Sequence, residues 1–260
     1  MDDREYRWHL KRIGKITASE VSKIMTASGR WTQTAVSYLY KIQRQRTIKE
    51  PAPIKNAKTL KWGRENEIAA IEWLRENLLQ VKLRKNTIFH CDSDGDEKVF
   101  IEGENNFGGS PDAYLMKGSN IVAYIEIKCV YGEEETNWIF SPTVPMERKR
   151  GRVLEEHLWQ LAGQMSLPGA PDTIMLVKYD AQDIFNDFDV RVPEDPSRGL
   201  IFTFTREELT PHIEVLKERV AFANKCLEEG VDLDVVQTYW EDYKDDSKRR
   251  TDRKRRKDSQ

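Results

Sequence analysis

Between Ile121 and Val130 the run Ile-Val-Ala-Tyr-Ile-Glu-Ile-Lys-Cys-Val suits one backbone conformation, an extended strand. Successive side chains of a strand point to opposite faces. Ile121, Ala123, Ile125, Ile127 and Cys129 therefore share one face, leaving Tyr124, Glu126 and Lys128 on the other. The apolar face has to be covered by a second layer, which places an acid and an amine where water is scarce and an isolated charge is costly. Fourteen residues upstream, Asp112 lies in Gly-Gly-Ser-Pro-Asp-Ala-Tyr-Leu (108–115), and Lys-Gly-Ser-Asn (117–120) supplies a turn between the two segments. A hairpin would thus gather two carboxylates and a lysine. The simplest compensation for that crowding is a divalent cation with an anionic ligand.

A chain of 260 residues, 38% hydrophobic, can bury one substantial core. The expected organisation is a single domain over residues 1–245 followed by a basic, disordered tail at 246–260. Residues 248–257 hold eight basic side chains and one acid, so the formal net charge of −2 conceals an acidic body. Such a body argues against coating DNA non-specifically, although the field within a cleft can differ from the global one. No run of eighteen apolar residues and no signal-peptide pattern occurs, which gives the expectation of a cytoplasmic protein with no membrane association. Cys91, Cys129 and Cys226 have no paired spacing and read as small apolar residues.

Along the chain, Tyr6–Arg12 reads as a short helix or turn. Thr17 and Glu20 have capping-box spacing, so a helix is expected to start near Thr17, with its first amides, Ser19, Arg12 and Lys15 forming an anion seat. Helices are expected over 34–46, 62–79, 152–167 and 206–228, and strands over 81–91, 98–102, 112–116, 121–130, 173–179, 188–192 and 201–204. On the helix from Trp62, Glu67 lies on the stripe of Ile71, Leu74 and Leu78, an acid on the apolar side. On the 152–167 helix, Leu158, Leu161 and Met165 share one face while His157, Gln160 and Gln164 share the next, so one face meets the sheet and the other a cleft. His157, a lone histidine on a helix, reads as packing.

Asp112, Glu126, Lys128 and a third acid on a preceding helix are what phosphodiester hydrolysis needs. Oxygen ligands bind magnesium, and a cation sits beside the attacking water. Pro111-Asp112 followed by Glu126-Ile-Lys128 resembles the core of the PD-(D/E)XK nucleases, and more narrowly the phage lambda exonuclease, or YqaJ-type viral recombinase, family. Four blocks carry the resemblance in order: Trp8 with Leu-Lys-Arg-Ile-Gly-Lys-Ile-Thr-Ala-Ser-Glu (10–20), Trp62-Gly-Arg-Glu-Asn-Glu67, Ser110-Pro-Asp112, and Glu126-Ile-Lys-Cys129. Gln160-Leu-Ala-Gly-Gln-Met165 and Lys178-Tyr-Asp180 extend it, so that it spans residues 8–180. Ala113 departs from the family's usual glycine after the aspartate.

The resemblance implies an α/β (α+β) fold, a restriction-endonuclease-like core in which a mixed sheet is flanked by helices. It implies that Asp112, Glu126 and the carbonyl of Ile127 hold Mg2+, or Mn2+, as two ions per site with Glu67 in the carboxylate shell. Lys128 would stand by the nucleophilic water and Gln160 in the catalytic group. Arg12, Ser19 and Ser110 would grip a terminal 5′-phosphate, and Arg30 would touch DNA. The implied activity is 5′-to-3′ exonuclease action on linear double-stranded DNA, leaving 3′ overhangs for annealing, by a ring-shaped homotrimer working beside a single-strand annealing protein. The readings that compete with it are a structure- or sequence-specific endonuclease and a non-catalytic DNA-end scaffold.

Overall fold

The computed structural model describes residues 3–26, 31–32, 34–50, 58–80, 87–91, 99–181 and 199–230. Its centre is the expected hairpin. Strand β5 (Ala113–Lys117) pairs antiparallel with β6 (Asn120–Val130) through the 117–120 turn. On the other edge of β6 lies β7 (Thr173–Asp180), and this pair is parallel. A parallel neighbour requires the chain to cross over, and helices α4 (Glu133–Ile139) and α5 (Met146–Met165) fill that crossover. Strands β2 (Thr87–Cys91) and β8 (Gly199–Thr205) complete a mixed sheet of order β2-β5-β6-β7-β8, with β6 in the middle. A smaller sheet, β1-β4-β3, is made of Ile16–Thr17, Phe107–Gly109 and Ile101–Glu102 in the order β1, β4 and β3.

Helices cover both faces of the larger sheet, making this a mixed α/β protein. Helix α3 (Lys58–Gln80) lays Ala70, Ile71, Leu74 and Leu78 against Ala113, Ala123, Ile125 and Ile127. On the opposite face, Leu158, Leu161 and Met165 of α5 and Leu216 and Val220 of α6 (Arg206–Glu229) join Tyr114, Tyr124, Ile174, Leu176 and Phe204. Helix α6 opens on a capping box in which Thr205 accepts from the Glu208 amide. Helix α1 (Asp3–Arg12) opens the chain, and α2 (Ala35–Ile48) packs Ala35, Leu39 and Ile42 into the same core as α5. None of the described helices is long and apolar enough to cross a membrane.

Two local expectations are corrected. Ile121 does not share a face with Ala123 and Ile125: the β5–β6 register shifts between Leu115 and Met116, so Ala123 pairs with Leu115 but Ile121 with Met116. The extra residue, Val122, is a bulge that turns Ile121 to the α5 side, where it packs with the larger core. No helix starts at Thr17 either. Ile16 and Ala18 donate to the carbonyls of Asn106 and Gly108, pulling 16–17 into the small sheet and burying both apolar side chains; only a 3-10 turn, Val21–Lys23, follows. Strand β4 and helix α4 were not expected, and α5 starts at Met146 rather than 152. The expected strand at 188–192 and the tail at 246–260 lie outside the described residues.

Candidate active site

Asp112 precedes β5 and continues its pairing by other means. Its amide donates to the Ile125 carbonyl at 3.0 Å, and its Oδ2 accepts from the Ile127 amide at 2.8 Å. The carboxylate thus takes the place of the next ladder residue. The N–H and C=O of one strand residue point to the same edge, so the Ile127 carbonyl also faces this side, beyond the Ala113–Ile125 register pair. Glu126 points from the α5 face of the sheet and is 2% exposed. Its Oε1 accepts from Lys128 Nζ and from Gln160 Nε2, both at 2.6 Å, and its Oε2 accepts from Gln164 Nε2 at 2.5 Å.

The electrostatics are those of crowded anions. Burial, then Glu126 and Glu67, hold the Asp112 carboxyl well above the usual aspartate range. Burial alone would depress Lys128, but Glu126 and Asp112 outweigh it and raise its ammonium above the ordinary lysine value. Cys129, on the far face, is pushed up to about 12 by burial, Glu67 and Asp112, so it stays a thiol. Glu67 itself comes from α3, across the sheet from Gln160. Near its start, α3 is tied to the end of β6 by Trp62, whose indole donates to the Val130 carbonyl at 3.0 Å. Glu67 influences Asp112, Lys128 and Cys129 through space, yet among the described residues no three His, Cys, Asp or Glu side chains converge as a metal cluster. Asp112 and Glu126 line one cleft, and Glu67 acts on Asp112 from the α3 side of the sheet.

These residues fit a hard cation all the same. Magnesium is commonly held by one or two carboxylates, with water and phosphate oxygens completing its shell. A buried carboxyl whose proton affinity is raised by a second carboxylate has the charge imbalance that a divalent ion would relieve.

The same cleft, of about 150 Å³, is lined at its other end by Trp8, Arg12, Thr17, Ser19 and Ser110. Arg12 Nη2 donates to Ser19 Oγ at 3.2 Å and Thr17 Oγ1 at 3.4 Å, and its guanidinium stacks 4.1 Å over the Trp8 ring. The Trp8 indole donates to Ser110 Oγ at 3.3 Å. Of the residues expected to form an anion seat, Arg12 and Ser19 meet through their side chains, and the helix amides expected beside them are replaced by a turn. Ser110 and Asp112, two residues apart, link both ends of the cleft. Arg30 lies outside the described residues. His157 lines an adjoining groove; burial, Lys178 and Lys128 push it down to about 3, so its imidazole is neutral. Gln164 and Thr17 were missed as site residues. Gln164 had a signal, one helical turn after Gln160 on the same polar face, whereas Thr17 was read as a helix cap.

Among solved structures, the chain is similar to an alkaline exonuclease, LHK-Exo, from Laribacter hongkongensis, with 21% identity, TM-score 0.56, and coverage of 86% of this chain and 94% of that one. The same enzyme in complex with dAMP gives 22% identity, TM-score 0.58, and coverage of 91% and 98%. A phage-related exonuclease from Haemophilus somnus 129PT gives 18%, 0.55, and coverage of 84% and 95%. These likenesses establish the fold. No curated protein sequence matches the chain. Residues 7–171 match the YqaJ-like viral recombinase domain, a stretch that contains Arg12, Glu67, Asp112, Glu126, Lys128 and Gln160. The chain therefore belongs to the YqaJ-like viral recombinase family.

Proposed function

We propose that the chain is a metal-dependent exonuclease that removes nucleotides from the 5′ ends of linear double-stranded DNA and leaves 3′ overhangs for recombination. The observation that carries this reading is one small cleft with an acidic, lysine-bearing end and an arginine-serine end. The structural neighbours named as exonucleases support it. Arg12, flattened on Trp8 beside Ser19 and Ser110, has the planar donors and neighbouring hydroxyls that suit a terminal phosphate. A phosphate seated there would set polarity by holding the 5′ terminus in the cleft that Asp112 and Glu126 also line.

Magnesium or manganese held by Asp112, Glu126 and the Ile127 carbonyl, with Glu67 for a second ion, would supply charge stabilisation at the scissile phosphate. Lys128, hydrogen-bonded to Glu126 in the cleft, would stand by the attacking water or a phosphate oxygen. Gln160 donates to the same Glu126 oxygen as Lys128 and helps to hold that carboxylate in place. A homotrimeric ring and an annealing-protein partner belong to the same proposal.

The test is a time course on linear duplexes that differ only in 5′-phosphorylation, with Lys128→Ala beside the wild type. Phosphorylated ends are expected to be degraded faster, and the variant to lose about 10²–10³-fold in rate, the scale for removing one preorganised donor. Equal cutting of closed circles would replace the exonuclease with an endonuclease. Full activity in Lys128→Ala would remove the site.

A further inference from the structure

Gln164 is 1% exposed and donates to Glu126 Oε2, the carboxylate oxygen that neither Lys128 nor Gln160 touches. A carboxylate only accepts, so the amide must present its nitrogen there, and its own Oε1 is left buried without a hydrogen-bond partner. A position selected only for packing would avoid that orphaned oxygen, which an apolar side chain of equal volume would eliminate. The backbone bringing Gln164 to this point is tightly constrained. An added Cβ at Gly163 would lie 3.0 Å from Ala18 Cβ and 3.1 Å from Phe107, and one at Gly109 would lie 3.2 Å from Ala18 Cβ. Helix α5 therefore rests on Ala18, the residue that follows β1, and the amide is delivered from that contact.

Resting on the exonuclease reading, we infer that Gln164 is a positioning residue: it fixes the plane of the Glu126 carboxylate so that its oxygens meet a divalent cation in one orientation. Gln160 and Gln164, one helical turn apart, hold the two oxygens separately. Residues that orient metal-binding side chains commonly contribute about 10–100-fold in metal affinity or activity.

The experiment uses Gln164→Met, which keeps length and volume but removes the donor. Manganese alone is titrated into the full chain without DNA, and free ion is counted by its paramagnetic resonance signal. Manganese affinity is expected to fall about tenfold and kcat to fall with it, with KM for DNA unchanged and the thermal midpoint equal to or above that of the wild type. Unchanged manganese affinity and kcat in a folded variant would overturn the inference while leaving the exonuclease reading in place. A lowered midpoint with unchanged affinity would make Gln164 a packing residue and overturn it equally. No manganese binding by the wild type would overturn the metal reading and this inference with it.

Discussion

Asp112 shares a cleft with Glu126 although burial and that neighbour's charge make its own ionisation harder, and the consequence shows in stability as well as chemistry. The Asp112 carboxyl binds its proton more tightly folded than unfolded. As pH rises from the ordinary aspartate value of about 3.9, the folded state retains a proton the unfolded chain has lost, so this group's contribution to stability falls until the raised value is passed. Asp112→Asn keeps an oxygen that can accept from Ile127 but removes the charge. In chelator at neutral or alkaline pH it should raise the thermal midpoint, on a scale of about 2–4 °C per kcal/mol for a chain of this size, and the gain should vanish near pH 4. A lower midpoint at neutral pH would show that the crowding is not destabilising. Glu126 and Lys128 were legible in the sequence because strand alternation puts them on one side, and Asp112 because the 117–120 turn folds its segment back on theirs. Thr17 was not, since the capping-box spacing carried no information about the β4 strand that captures its neighbours.

At the scale of elements, what the chain announces locally is what it builds. The β5–β6 hairpin, α3, β7 and α6 follow from periodicity and turn residues, within a few positions. Strand β4, Phe-Gly-Gly, was illegible because two of its three residues have no side chain to alternate, and a Cβ on Gly108 would lie 2.4 Å from Phe100. The bulge at Val122 was equally silent: it answers to the partner strand, and its effect was to invert Ile121. Helix α5 is the element on which the site turns, since it carries both glutamines and seats them through Gly163. Gly163→Val should push α5 away from Ala18 and Phe107, costing about 1–3 kcal/mol of stability by overpacking. Because that shift separates both amides from Glu126, nuclease activity should fall at least tenfold in a protein that still melts cooperatively. Retained activity would mean the helix need not sit this close.

For the whole molecule, the sheet buried on both faces explains why Glu126 can face α5 on one side while Glu67 comes from α3 on the other, with β6 passing between them. An assembly of three copies should show a mass in solution near three times 30.4 kDa by light scattering. A monomeric mass would discard the ring and leave the cleft intact. The central place of β6 has one more consequence. Its parallel neighbour β7 arrives only after the crossover, and the amides that grip Glu126 reside within that crossover. During translation the cleft is therefore unfinished until the crossover helix has left the ribosome, so a chain ended before Gln160 carries Asp112 and Glu126 without the two amides that hold Glu126.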